Sequence, residues 1–484
     1  MTKKIFLFAF FAIIFTSVFS QEAVFSLDKL EDRKKDPEGT SFLNLPGTEK
    51  NLVLVKYKKG VDAYLLSPDN EVVASLGTDD IPRRYDKLVG QTVQGDKIKV
   101  FLFNALGRYA SLLIDFDTNT VIEDQFKIDL GKEYVIGHTS RGDKFYIFSL
   151  QKKSSKINVH VINHNGTVEK KEIDFSSQVF IDFDGDEGTV YDIAKGFCVN
   201  GFKTLEAGIV QTQYANPLET TSKVVKLYTE QDNVRITLDP YAHTYVLNVS
   251  LRDFSHDVQV YKKPMLNEKE YYSRTKSLLF NDVVLQFMAD RDKMEFIAKD
   301  RKDRSVIKSY SIKQNEKLTL ANTPILMEGG TYNQNRKRRI ERTSVFLKKV
   351  VKGDLGISAV ESEGNYQVTF GSTKPLPNPA SGGSMMNPIG MPSSPNPIGP
   401  LFFHYHGGSF ATYRNSKSVH FDGYFNKKFE HIEGKLPEHA FRKIDAFLDK
   451  LNQEELAETV IRTEDGFLCM YYDEEAEKIK GLQF

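Results

Sequence analysis

A chain of 484 residues with 65 basic and 65 acidic side chains carries no net charge, so no global field exists to hold nucleic acid or an anionic membrane. Its hydrophobic share of 40% suits a fold with much surface and many turns rather than a membrane bundle. Tryptophan is absent beside 35 Phe and 22 Tyr, which counts against sugar-stacking surfaces and Trp-marked repeats.

At the start of the chain, Lys3 and Lys4 precede an apolar run from Ile5 to Phe19, and Val18 and Ser20 stand before a cut at Gln21. This is the pattern of a cleaved secretory signal over residues 1–20. The run is shorter than the ~20 residues a membrane-spanning helix takes, and polar residues follow at once. Export is therefore expected, to the periplasm or cell surface of a bacterium, with no membrane span in the mature chain. Gln21 occupies the place where a lipid-anchored bacterial chain needs Cys, which excludes lipid attachment there. Residues 21–48 read as a leader and 49–484 as one domain.

Within that domain a phrase is written twice. Gly90 to Phe103, GQTVQGDKIKVFLF, returns as Gly137 to Leu150, GHTSRGDKFYIFSL, at an offset of 47 residues. Gly90, Thr92 and Gly95-Asp96-Lys97 pair with Gly137, Thr139 and Gly142-Asp143-Lys144. A second hairpin follows each copy, turning at Asp117-Thr118-Asn119 and at His164-Asn165-Gly166, and Pro68-Asp69-Asn70 looks like a third. Asn, Asp and Gly suit such turns because they tolerate positive φ. Strands such as Asn158 to Ile162 alternate and present one face to each neighbour. The grammar continues, with a blurred repeat, through Val234–Leu238, Asp282–Phe287 and Gly466–Tyr472.

A unit near 47 residues made of short strands and Asn/Asp/Gly turns resembles the four-stranded blade of a β-propeller. The fold class expected is all-β, a β-propeller of roughly seven four-stranded blades, because a lone sheet cannot bury its faces but a ring of sheets can. The resemblance is to the architecture. The WD dipeptide, the paired glycines of kelch and the Trp of quinone-binding propellers are missing, so no family's functional residues carry over.

Two segments break the pattern. Residues 374–400 hold eight of the 17 prolines and repeat Asn-Pro-Ile-Gly at Asn387 and Asn396, a composition that builds no core and reads as a flexible insertion. Its Met385, Met386, Ile389, Met391 and Ile398 are the residues expected to dock on a protein partner. Residues 436–456 read as an amphipathic helix inserted near the C-terminus, with Phe441, Ile444, Phe447, Leu448 and Leu451 at helical spacing.

Candidate metal ligands are few. Asp182, Asp184 and Asp186 alternate in FIDFDGDEG, as in loops that wrap Ca²⁺, although Glu187 and Ile193 stand where an EF-hand has Gly and Glu. His404 and His406 share a face if their segment is a strand, a metal-capable geometry with no third ligand placed by sequence. No cofactor is otherwise required. Arg141-Gly142-Asp143 is turn chemistry, since the other copy has Gln94-Gly95-Asp96 there, and Asn335 to Arg339 is a local basic patch. Motifs for nucleophilic catalysis, phosphate cradling and dinucleotide binding are missing. The expectation is an exported binding or scaffolding propeller that engages a protein. The alternative is a propeller hydrolase or lyase acting on polysaccharide or peptide with a divalent ion. A channel filled by apolar side chains favours the former, and acidic groups gathered with His at its mouth the latter.

Overall fold

The structure is a computed structural model. It describes residues 23–484 apart from 31–35, 46–47, 80, 82–84, 86, 105–107, 196–206, 213, 231, 265, 267–273, 330–336, 376–415, 452–456 and 464–465.

Strands fall into seven sheets of four or five. The first blade is β2 (Gly39–Asn44), β3 (Asn51–Lys56), β4 (Val61–Leu66) and β5 (Val72–Thr78). In the second are β6 (Lys87–Gln94), β7 (Lys97–Phe103), β8 (Arg108–Asp115) and β9 (Thr120–Lys127), and in the third β10 (Glu133–Arg141), β11 (Lys144–Gln151), β12 (Lys156–Asn163) and β13 (Val168–Asp174). A small hairpin, β14 (Phe180–Ile181) with β15 (Glu187–Gly188), and helix α1 (Val190–Ala194) follow. The fourth blade is β17 (Val225–Glu230), β18 (Asn233–Leu238), β19 (His243–Ser250) and β20 (His256–Lys262), and the fifth β21 (Arg274–Phe280), β22 (Val283–Ala289), β23 (Lys293–Asp300) and β24 (Val306–Lys313). The chain is thus a β-propeller of the kind expected.

Two blades are not simple meanders. In the sixth, β27 (Asp354–Ser362), β28 (Asn365–Pro375) and β29 (Ser416–Phe425) come later in the chain than the outer strands β25 (Ile325–Glu328) and β26 (Arg338–Ile340) that pair beyond them. The seventh joins β30 (Thr459–Thr463), β31 (Gly466–Asp473) and β32 (Lys478–Gln483) to β1 (Ala23–Asp28), which lies antiparallel along β32. Residues 21–48, read from sequence as a leader, therefore contain strands of two blades. Charged residues separate those strands, and each alone is too short to announce a sheet.

The core lies between blades rather than within them. Leu52 and Leu54 share a core with Val100 and Leu112 of the second blade, and Phe101 meets Phe145 between the second and third. Phe287 meets Phe370, while Ile157 shares a core with Leu227, Val360 with Val460, and Ile461 with Val53, which brings the ring back to its start. Middle strands are covered from both sides, so Ile157 to Ile162 are all buried, whereas the outer strand β13 is exposed at all but one position. Helix α3 (Thr343–Val350) packs Phe346 and Leu347 into the core of the sixth blade. Helix α4 (Ala440–Leu451) lies where the amphipathic pattern predicts and buries Phe441, Ile444 and Leu448 against Val360, Cys469 and Tyr471.

The repeated phrase has two physical causes. Gly95 and Gly142 take φ of 61° and 54° at the first position of two-residue hairpin loops, the type II′ pattern, and Asn70, Asn119 and Gly166 take positive φ in the next hairpin of each blade. Gly90 and Gly137 serve packing instead. A Cβ on Gly90 would stand 2.6 Å from Cδ2 of Phe145, and one on Gly137 would stand 2.8 Å from Cδ2 of Leu227, each in the following blade. No described helix is long and apolar enough to cross a membrane.

Candidate functional site

The Asp182 loop is the β14–β15 hairpin. Asp182 Oδ1 accepts from the backbone N–H of Asp184 at 2.9 Å and of Asp186 at 3.2 Å, so this carboxylate closes its own turn. Asp184 and Asp186 are exposed, and Asp192 accepts from Thr189 in the capping box of α1. The described residues bring together no group of three His, Cys, Asp or Glu able to hold a metal ion. His404, His406, Met385, Met386, Ile389, Met391 and Ile398 lie outside the described residues. Arg338 and Arg339 of the basic patch are exposed on the outer strand β26.

The axis of the ring is occupied. After α1 the chain returns as β16 (Gly208–Val210), which pairs in parallel with the inner edge of β17, and then forms the short helix α2 (Leu218–Thr221). Ile209 joins the core between the third and fourth blades, and Val210 joins that of the fifth and sixth. Leu218, 1% exposed, presses on the sixth blade so closely that a Cβ on Gly371 would stand 2.9 Å from its Cδ1. Across the ring, Tyr214 stacks edge-on against Phe467 of the seventh blade with ring centroids 5.6 Å apart and also contacts Phe441 of α4. Its hydroxyl accepts from the backbone N–H of Arg462 at 2.7 Å. Residues 208–212 and 214–222 thus run from the third and fourth blades to the seventh as a plug anchored by Ile209, Val210, Tyr214 and Leu218.

Beside the plug, four charged side chains are buried together. Lys226, Asp239 and Lys263 are at most 1% exposed, and Lys276 is 8% exposed. Lys226 stands near the start of β17, Asp239 directly after β18, Lys263 directly after β20 and Lys276 near the start of β21, so the meanders carry all four to one end of the fourth and fifth blades. Asp239 accepts from Lys226 Nζ at 2.6 Å, from Thr244 Oγ1 at 3.0 Å and from the Ser277 hydroxyl at 2.8 Å, with Lys263 Nζ at 2.7 Å. Burial opposes the charge on Asp239, but Lys226, Lys263 and Lys276 outweigh it and hold the carboxyl far below its usual range. Burial lowers the Lys263 ammonium. It also brings Lys276 down to about 7, because the attraction of Asp239 is countered by Lys226 and Lys263. Nothing in the sequence marks this cluster, since its lysines are spread over 50 positions in strands whose polar residues read as solvent-facing.

A second buried group lies in the third blade. Ser149 Oγ donates to Glu133 Oε2 at 2.6 Å, and His160 Nε2 is 2.8 Å from the same oxygen and 3.3 Å from Ser149. A nucleophile-base-acid relay places hydroxyl and carboxylate on opposite ring nitrogens. Here both share Nε2, and Lys170 also pairs with Glu133, so the group is a satisfied interior network.

No protein-family model and no curated protein sequence matches the chain. Among solved structures it is similar to an ACO/RPE65 chimera, with 9% identity and TM-score 0.28 over 55% of this chain and 58% of that one. It is also similar to the Dos1 propeller, with 9% identity and TM-score 0.29 over 71% and 70%. A europium-containing methanol dehydrogenase aligns over 96% of this chain and 80% of its own with 10% identity and TM-score 0.32. The chain spans little more than half the length of the chimera. Likenesses this distant say nothing of function.

Proposed function

We propose that the chain is an exported binding or scaffolding propeller that engages a protein partner in the periplasm or at the cell surface. The filled axis carries this reading. A propeller enzyme gathers its reacting groups from several blades around the axis, and here that space is taken by Ile209, Val210, Tyr214 and Leu218. Recognition then falls to the rims and loops. Residues 376–415 leave and rejoin the sixth blade at one point, because Pro375 and Ser416 are paired neighbours. In this reading Met385, Met386, Ile389, Met391 and Ile398 supply the apolar contacts to the partner.

The test is a native mass spectrum of the protein purified gently from its own envelope. The expected result is a polypeptide beginning at Gln21 with a mass excess that matches other polypeptides and disappears when residues 376–400 are deleted. A chain beginning at Met1 overturns export. A bare monomer carrying Ca²⁺ overturns the partner and turns attention to the hydrolase or lyase alternative at Asp182.

A further inference from the structure

An open cleft of about 560 Å³ lies at one end of the fifth blade, between the β22–β23 turn, the end of β24 and the start of helix α3. That is a size small ligands occupy. Several polar groups around it are already engaged. Asp292 Oδ1 accepts from Gln314 Nε2 at 2.9 Å, Lys293 Nζ donates to Glu295 Oε1 at 3.0 Å, and Glu316 accepts from the backbone N–H of Lys313 at 2.8 Å. Asp290 is only half engaged. It lines the cleft at 3% exposure, and its Oδ1 accepts from the backbone N–H groups of Asp292 at 2.7 Å and Lys293 at 2.8 Å. Its Oδ2 has no hydrogen-bond or ion-pair partner among the described residues. A carboxylate oxygen held in this way lowers its energy by meeting a cationic donor.

The same cleft carries unanswered positive charge. Lys293 and Lys313 are cross-strand neighbours on β23 and β24, a pairing of like charges that repels, and Glu295 answers only the first. The exposed Lys313 ammonium lines the cleft with no partner among the described residues. Helix α3 also begins here without a side-chain cap, and Ser344, which lines the cleft, leaves its backbone N–H without a partner among the described residues. That N–H lies at the positive end of the helix dipole. Leu266 adds an apolar wall. A simple ion would answer one sign of charge and leave the other, and a free amino acid would fill only a small part of the space. We propose that the cleft binds short zwitterionic peptides, with the α-ammonium at Asp290 and the α-carboxylate at Lys313 and the start of α3. This site goes beyond the partner-docking reading, since it needs no residue of 376–415.

The test is calorimetric titration of the full folded chain with trialanine, N-acetyl-trialanine and trialanine amide. Trialanine is expected to bind at a single saturable site, and blocking either end is expected to weaken it about ten-fold or more, as losing a charged hydrogen-bond partner does. Asp290→Asn keeps an Oδ1 to close the turn and removes the charge. It is expected to weaken trialanine to a similar degree while leaving N-acetyl-trialanine unchanged. Lys313→Gln is expected to weaken trialanine while leaving its amide unchanged. No saturable heat with trialanine overturns the site. Equal binding of all three peptides, or trialanine binding that neither variant alters, overturns the assignment of its two ends. Because Lys313 is exposed, Lys313→Gln keeps the test decisive even where Asp290→Asn fails to fold.

Discussion

Replacing Gly90 by Ala tests whether the repeated glycines are there for packing between blades. The added methyl would lie 2.6 Å from Phe145 Cδ2 and also crowd Ser140 Oγ. Phe145 has little room to yield, being fully buried and stacked on Phe101 with ring centroids 4.3 Å apart. Overpacking of this sort costs about 1–3 kcal/mol, and a trapped aromatic ring places Gly90→Ala toward the upper end. At Gly137 the methyl meets Leu227 Cδ2 at 2.8 Å, the tip of a side chain with other rotamers, so Gly137→Ala is expected to cost nearer 1 kcal/mol. Gly95→Ala has open space but a φ of 61°, and its cost of about 1–2 kcal/mol is conformational alone. Urea unfolding followed by tyrosine fluorescence reads all three. A loss at Gly90 no larger than that at Gly137 would refute the packing argument.

Three further outcomes follow from the same geometry. Deleting Ala23 to Asp28 uncovers β32 and removes Phe25 and Leu27, which are 5% and 1% exposed and contribute about 1.5–3 kcal/mol each. Amide exchange at Lys478 to Gln483 is expected to accelerate by orders of magnitude, and unchanged protection would mean that β1 does not close the ring. Leu218→Ala should cost about 2–5 kcal/mol through the cavity it leaves against Gly356 and Gly371, and a loss under about 1 kcal/mol would show the plug to be loosely held. For Lys276, whose folded pKa of about 7 lies below the ordinary 10.5, the unfolded chain holds the extra proton between those values. Stability therefore rises with pH through that window, by at most about 1.4 kcal/mol per unit, and the rise should flatten in Lys276→Met when melting is followed from pH 6 to 10.

The blades were legible where local chemistry repeats. Gly95 and Gly142 must turn with positive φ, Asn70 and Asn119 likewise, and the helical spacing of Phe441, Ile444 and Leu448 has one physical solution. What escaped was decided by distant partners. Ile209, Tyr214 and Leu218 read as an ordinary connection, because only the assembled ring shows that they fill its axis. Lys226 and Lys276 read as the polar side of their strands until the next blade covers them. The sixth blade hides its order because β25 precedes the inner strand it must wait for, and β1 finds its sheet only at the other end of the chain.

That last pairing sets the timing of assembly. Phe25 is matched with Gly481, a separation of about 450 residues, so the final sheet has no template until nearly the whole chain is available. Closing so long a loop is costly in chain entropy and slow, and until then β32 offers an unpaired edge to any passing strand. Folding of this propeller should therefore end with a single late step that seals its first segment onto its last, and a chain interrupted before Lys478 would hold six blades and an open seam.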